Sequence, residues 1–189
     1  MASGIYYRIQ GENGRAPALE TRLKSELKYI LQAPYWKVAL QMLGDLQALR
    51  CIHPTLELDR ELWRQLRLLD RCLNGRRRKK EEGIANSLFP IPDSPFPIIN
   101  IPDWQMRLEV LIAYLAPEYR GKVAANLQLP ADSIKRLELL EVGNQELAEN
   151  LPKCYLPSQL VFLLRNYELP LLIAIALQSP RSARRQIWE

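Results

Sequence analysis

Residues 15–54 have the sequence RAPALETRLKSELKYILQAPYWKVALQMLGDLQALRCIHP. In the first half of this stretch, apolar residues recur at helical spacing: Leu19, Leu23, Leu27, Ile30 and Leu31. Pro34 disfavours a helical conformation of the residue before it, so we expect the first helix to end near Ala33. A second apolar series then runs from Trp36 to Leu46. The stretch therefore predicts two helices joined at a proline corner.

The composition of the whole chain favours the same architecture. The chain has 189 residues, of which 48% are hydrophobic, with 14 prolines and only 8 glycines. The prolines fall mostly between periodic segments, which is typical of helices joined by marked corners and not of sheets with glycine turns. We find neither a repeat of fixed period nor a sustained apolar–polar alternation. The sequence predicts an all-α fold, a multi-helical array of short helices.

The predicted helices fall into two subdomains. We expect a helical RNA-binding region at 1–73, a linker at 74–102, and a second helical subdomain at 103–189, which we expect to be truncated. Asp59 is a suitable N-cap for the third helix, and Gly75 is a suitable stop beyond it. The linker begins NGRRRKKEEG and continues into repeated prolines, so we expect it to be extended, with a mobile charged first half. Within the second subdomain, Gly143 is predicted to end a helix.

The residues needed for several kinds of chemistry are missing from the sequence. An Asp-x-Asp pair that could hold two metal ions is absent, and so are a glycine-rich phosphate loop and a Gly-x-Ser-x-Gly elbow. The three cysteines (Cys51, Cys72, Cys154) are far apart, which argues against a zinc site and favours reduced thiols in a cytoplasmic protein. His53 is the only histidine, and we interpret it as structural. We predict no catalytic residue, no metal ligand and no cofactor in this chain.

The charge of the chain permits an anionic partner. The formal net charge is +5. One basic run comprises Arg76, Arg77, Arg78, Lys79 and Lys80, which could contact phosphates from a flexible arm or could simply be a solvated linker offset by the glutamates after it. A second group, Arg181, Arg184 and Arg185, shares one face of the last predicted helix, and RNA contact and plain solvation are both open there. Because aromatic residues at stacking spacing are missing from both groups, any binding should be salt-sensitive and directed at the RNA backbone.

Two short patterns carry a family resemblance. Residues 21–31 follow the pattern Glu-Arg-Ile-x-x-Glu-Leu-x-x-Ile-Leu, with Thr21 in place of the first glutamate and Leu23 in place of the first isoleucine. Five residues keep their places: Arg22, Glu26, Leu27, Ile30 and Leu31. Residues 46–54 add a Leu-x-x-Leu helix end followed by an Ile-x-Pro stop. Over roughly its first third the chain resembles the class II tRNA nucleotidyltransferases and bacterial poly(A) polymerases, in the region after their nucleotide-binding neck.

The resemblance implies neck and body helices that hold the 3′ end of a tRNA or another RNA against a catalytic head. The head, with its metal-binding carboxylates, Mg²⁺ and nucleoside triphosphates, is expected upstream of Met1. Arg22 and Lys24, on the polar side of the first helix, join the two basic groups as candidate RNA contacts. Whether the parent enzyme adds CCA, A alone or poly(A) stays open.

Two further interpretations concern partners. A helical protein–protein interaction module without an RNA role is the alternative function, and it predicts an exposed apolar groove. The most apolar run, residues 169–177, is too short to span a bilayer, so we expect no membrane partner.

Trp36 and Trp63 adjoin apolar stripes, which favours helix packing for them over base stacking.

Overall fold

The computed structural model describes residues 17–86 and 101–188, with side chains described over 19–74 and 101–187. Within these ranges the chain forms α-helices joined by turns and short 3₁₀ segments, and no strand. The predicted all-α fold is confirmed. The helices are α1 (Pro17–Gln32), α2 (Trp36–Asp45), α3 (Arg60–Asn86), α4 (Asp103–Ala113), α5 (Pro117–Asn126), α6 (Ala131–Asn150), α7 (Pro157–Leu164), α8 (Leu169–Gln178) and α9 (Arg181–Trp188).

The corner at Pro34 and the start of α3 lie where the sequence predicts them. Helix α1 ends at Gln32 and α2 begins at Trp36. At the start of α3, the backbone N–H of Leu62 donates to Asp59 Oδ1 at 2.8 Å. This side chain satisfies one of the N–H groups that a helix start leaves without an intrahelical partner.

The predicted extended conformation is wrong over the first half of the linker. Helix α3 runs from Arg60 through Gly75 and the whole basic run to Asn86, so residues 74–86 are neither extended nor preceded by a helix stop. One glycine inside a helix costs only about 1 kcal/mol relative to alanine. The arginines, lysines and glutamates that follow Gly75 are good helix formers, and they favour continuation. The proline-rich second half of the predicted linker, residues 87–100, lies outside the described residues.

Helix α4 is the centre of the core. Every residue from Gln105 to Ala113 is buried, and α1, α3, α6 and α8 pack around this helix. Buried leucines from both predicted subdomains, such as Leu31, Leu66, Leu140 and Leu177, belong to one hydrophobic cluster. The two halves of the chain therefore share a core, with α4 between them.

Gly143 does not end a helix, contrary to the prediction. Helix α6 continues through it to Asn150. A Cβ atom at Gly143 would lie 2.8 Å from Ile175 Cδ1, so this glycine allows α6 and α8 to approach closely. The close contact between α6 and α8, and not a turn, explains why a glycine occupies position 143.

Among the described residues, no single helix is long and apolar enough to cross a membrane. Helices α7 and α8 meet the length and composition needed only as a pair, and that pair is bent by 111°.

Two tyrosines tie helices together through carboxylates. The hydroxyl of Tyr114, just after α4, donates to Asp59 before α3, and the hydroxyl of Tyr167 donates to Glu146 Oε2 of α6 at 2.6 Å. Burial, followed by the neighbouring carboxylate, raises the pKa of each tyrosine to about 12. Both phenols are therefore held in their neutral, donating form.

These pKa values predict that the two tyrosine hydroxyls stop stabilising the fold at alkaline pH. An unfolded tyrosine titrates near 10, so the stability that each hydroxyl contributes is complete below pH ~10 and is lost as the pH rises towards ~12. We expect Tyr114→Phe to be less stable than the wild type near neutral pH, with the gap closing over that alkaline range. Urea unfolding at a series of pH values measures the gap. A stability difference between the two proteins that does not change with pH would contradict the raised pKa of Tyr114.

Candidate nucleic-acid interface

A stripe of arginines lines the outer side of α3. Arg60, Arg64, Arg67 and Arg71 follow one another at intervals of four, three and four residues, which places them on one helix face. Arg60, Arg67 and Arg71 are exposed, and Arg64 is half-buried. The leucines on the opposite face (Leu62, Leu66, Leu69, Leu73) are buried in the core. The core contact thus fixes which way the arginines point.

Arg64 is held by an acidic neighbour and by the end of another helix. Its Nε donates to Glu61 Oε2 at 2.7 Å, and its Nη2 donates to Glu61 Oε1 and, at 3.4 Å, to the carbonyl of Leu177 in α8. The hydrogen bond with Arg64 lowers the pKa of Glu61, and the same bond raises the pKa of Arg64. The guanidinium also lies at the negative end of the α8 dipole.

Arg184 of α9 reaches the same place. Its Nη2 donates to the carbonyl of Ser179 at 3.1 Å, two residues after the carbonyl that Arg64 uses. Burial lowers the pKa of Arg184, and the positive charge of Arg64 lowers it further, with Glu61 acting in the opposite direction. Two like charges are therefore crowded beside the end of α8, where Glu61 and the carbonyls of Leu177 and Ser179 partly compensate them.

The two helices together form what we call the basic face: Arg60, Arg64, Arg67 and Arg71 of α3 with Arg181, Arg184 and Arg185 of α9. Arg181 and Arg185 are exposed, whereas Arg184 turns partly inward. Helix α9 has no acidic residue, and Glu61 is the acidic residue that Arg64 and Arg184 share. Guanidinium groups with exposed edges in this arrangement can bind phosphate oxygens in pairs.

The structure places the other predicted contacts differently. Residues 76–80 lie in the second half of α3 and not in the extended linker that the sequence predicts; their side chains lie outside the described part. Arg22 of α1 is well exposed, 4.0 Å from Glu26. Lys24 instead has a structural contact, because its Nζ donates to the carbonyl of Gln128 at 2.5 Å and so ties α1 to the turn before α6. The structure brings α9 together with α3, and it gives Lys24 a different role.

The arginine stripe of α3 was not among the contacts predicted from the sequence. The signal was present, because a four-three-four spacing of one residue type defines a helix face. Leucines separate these arginines in the sequence, so they do not form a contiguous charged run, and a search for such runs does not detect them. Its alignment with α9 depends on how α8 and α9 pack, which is a tertiary property.

His53, the one histidine of the sequence, has local side-chain contacts. His53 Nδ1 lies 2.8 Å from Thr55 Oγ1, and its ring lies 4.6 Å from the ring of Tyr119. In the part of the chain that the structure describes, no group of three or more histidine, cysteine or acidic side chains could hold a metal ion.

Comparisons of the chain with models of known families, with curated proteins and with solved structures gave no match.

Proposed function

We propose that this chain is the RNA-holding helical part of a nucleotidyltransferase. It binds the phosphate backbone of a tRNA or a related RNA and positions the 3′ end for a catalytic head elsewhere in a longer polypeptide. The main support for RNA contact is that Arg64 of α3 and Arg184 of α9 both bind carbonyls at the end of α8. This arrangement joins the arginines of the two helices into one basic face.

Rigid helices make this face suited to a phosphate backbone. The exposed arginines project from helices that are anchored in the core, so their backbone is already ordered before RNA arrives. Positive charge on a fixed surface attracts RNA and releases the counterions condensed on it. The stripe from Arg60 to Arg71 extends over about 16 Å at 1.5 Å per residue, enough to contact several phosphates.

The choice of a nucleotidyltransferase rests on the resemblance of residues 21–31 and 46–54 to the class II enzymes and poly(A) polymerases. In this proposal the transfer step, with Mg²⁺ and nucleoside triphosphates, belongs to the head. The catalytic groups belong to the head as well in this proposal. We place the protein in the cytoplasm, where the thiols of its cysteines would stay reduced.

Fluorescence anisotropy of labelled tRNA, titrated with this chain at low and at moderate salt, tests the proposal. We expect saturable binding at low salt that weakens steeply as salt rises, because each phosphate contact contributes a slope of about −0.7 to −0.9 in log affinity against log salt. Absence of binding at low salt would overturn the RNA-holding function.

An exposed apolar stripe on α2 favours the second candidate, a protein-interaction module. Tyr35, Val38, Met42 and Leu46 are all exposed, at intervals of three and four residues. This candidate predicts a single protein that co-purifies with the chain after nuclease treatment. A partner that dissociates on nuclease treatment would favour the RNA-holding function instead.

A further inference from the structure

A cleft of about 680 Å³ opens between the α1–α2 corner, α3 and the start of α4. It lies beside the basic face and is separate from it. Its size is within the range of pockets that bind small organic groups, about 300–1,000 Å³. Trp104, Lys37, Asp70, Asn74, Asp103 and Arg107 supply its aromatic and polar lining.

The cleft has a buried, strongly polar floor. The side chain of Arg107 is 7% exposed, its guanidinium lies 4.6 Å from the centre of the Trp36 ring, and its Nη1 donates to the carbonyl of Leu31 at 2.7 Å. Among the described residues, Arg107 Nε has no hydrogen-bond partner. A buried donor without a partner is costly, so this arginine adds polarity to the cleft floor at a cost in stability.

Asp70 organises the rest of the polar lining. It lies 2.6 Å from Lys37 Nζ and 3.3 Å from Arg107 Nη2, and it accepts from Asn74 Nδ2 at 3.3 Å. Together with Asp103, it balances the charges of Lys37 and Arg107, so the lining has no net positive charge to attract a phosphate. An uncharged ligand with both donors and acceptors on its edge suits this lining.

Trp104 supplies a flat surface for such a ligand. It is only partly buried and lines the cleft, and Lys28 Nζ lies over one face of its ring, 5.4 Å from the centre, so a base would stack on the other face. Trp36, by contrast, is 4% exposed and covered by Arg107, so it is part of the packing and not a free platform. A planar group with a hydrogen-bonding edge, stacked on an aromatic ring, is how proteins hold an unpaired nucleobase.

We propose that the cleft binds one unpaired base of the RNA whose phosphates contact α3. Asp70 and Asn74, which line the cleft, flank Arg71 of the basic face on the same helix. A strand with phosphates on Arg67 and Arg71 therefore passes the mouth of the cleft, with the phosphates outside and the base inside. This inference rests on the proposed RNA-holding function and adds a preference for RNA with a single-stranded end.

Two RNA hairpins test the inference, one blunt and one with a short single-stranded 3′ extension that carries a fluorescent adenine analogue. We expect the extended hairpin to bind roughly 5- to 150-fold more tightly, which is the range for stacking one base on an aromatic residue. The fluorescence of the analogue should be quenched in the wild-type complex.

Trp104→Leu should abolish both the affinity difference and the quenching while leaving the affinity for the blunt hairpin unchanged. Trp104→Phe keeps a smaller ring and should retain part of both effects. Trp63→Phe is the control, since Trp63 packs 6.3 Å from the Trp36 ring and does not line the cleft. Thermal melting verifies that each variant is folded.

The results separate this inference from the function on which it rests. Equal binding of the two hairpins, with an unquenched analogue in the wild-type complex, would overturn the proposed base site. It would not contradict the binding of the RNA backbone by the basic face. Failure of both hairpins to bind at low salt would overturn the two proposals together. The wild-type quenching measurement needs no variant, so a misfolded Trp104→Leu leaves the test intact.

Discussion

Replacing Arg67, Arg71 and Arg181 together by glutamine is expected to weaken tRNA binding by about 10- to 100-fold at low salt. This range corresponds to about 0.5–1 kcal/mol for each exposed ionic interaction with a phosphate. These residues are exposed, so their replacement should leave the fold unchanged. The slope of log affinity against log salt should also become shallower, by about one for each arginine that binds a phosphate in the wild type. Anisotropy titrations of the wild type and the triple variant measure both quantities.

A matched set of lysines provides the control. Lys122, Lys135 and Lys153 are exposed on α5, α6 and the segment after α6, and their replacement by glutamine removes the same formal charge. We expect this control variant to bind nearly as well as the wild type. Equal weakening by both sets would mean that RNA responds to net charge alone, and it would contradict a localised interface.

Glu109→Ala is expected to lower the free energy of unfolding by about 3–5 kcal/mol, because it leaves the charge of Arg136 buried without its main partner. Glu109 is 9% exposed and its Oε1 accepts from Arg136 Nη2 at 2.8 Å and from Ser133 Oγ at 2.6 Å. Gln105 Nε2 donates to the same serine at 2.8 Å. This network joins α4 to α6 at the centre of the core, so its disruption should be felt by the whole fold. Urea unfolding monitored by circular dichroism measures the change.

A double replacement tests whether the cost comes from the unpaired charge. Glu109→Leu combined with Arg136→Met removes both charges and keeps apolar bulk, and such replacements of buried pairs are often neutral or stabilising. We expect the double variant to be clearly more stable than Glu109→Ala. If the double variant is as unstable as the single one, the explanation by an unpaired charge is wrong.

Local signals in the sequence were sufficient for much of the fold. Pro34 restricts the residue before it whatever lies elsewhere in the chain, and the Asp59 side chain caps the helix that it precedes. The end of α1 and the start of α3 were therefore predictable. A glycine does not restrict its own backbone in this way. Helix α3 continues through Gly75, and Gly143 lies inside α6, where it allows a close contact with Ile175.

The candidate site was only partly predictable for a similar reason. Helical spacing correctly placed Arg181, Arg184 and Arg185 near one another. It could not show that Arg184 turns towards Arg64, because that depends on where α8 ends against α3. The role of Lys24 likewise depends on the turn at Gln128, which is distant in sequence. Tertiary packing decides which charges form a face.

Photo-cross-linking of tRNA to this chain, followed by peptide mapping, tests the central claim most directly. We predict that cross-links concentrate in α3 and α9, and that they diminish in the Arg67, Arg71 and Arg181 triple variant. Cross-links confined to α5, α6 and α7, with α3 and α9 unmodified, would contradict the basic face as the RNA-binding surface.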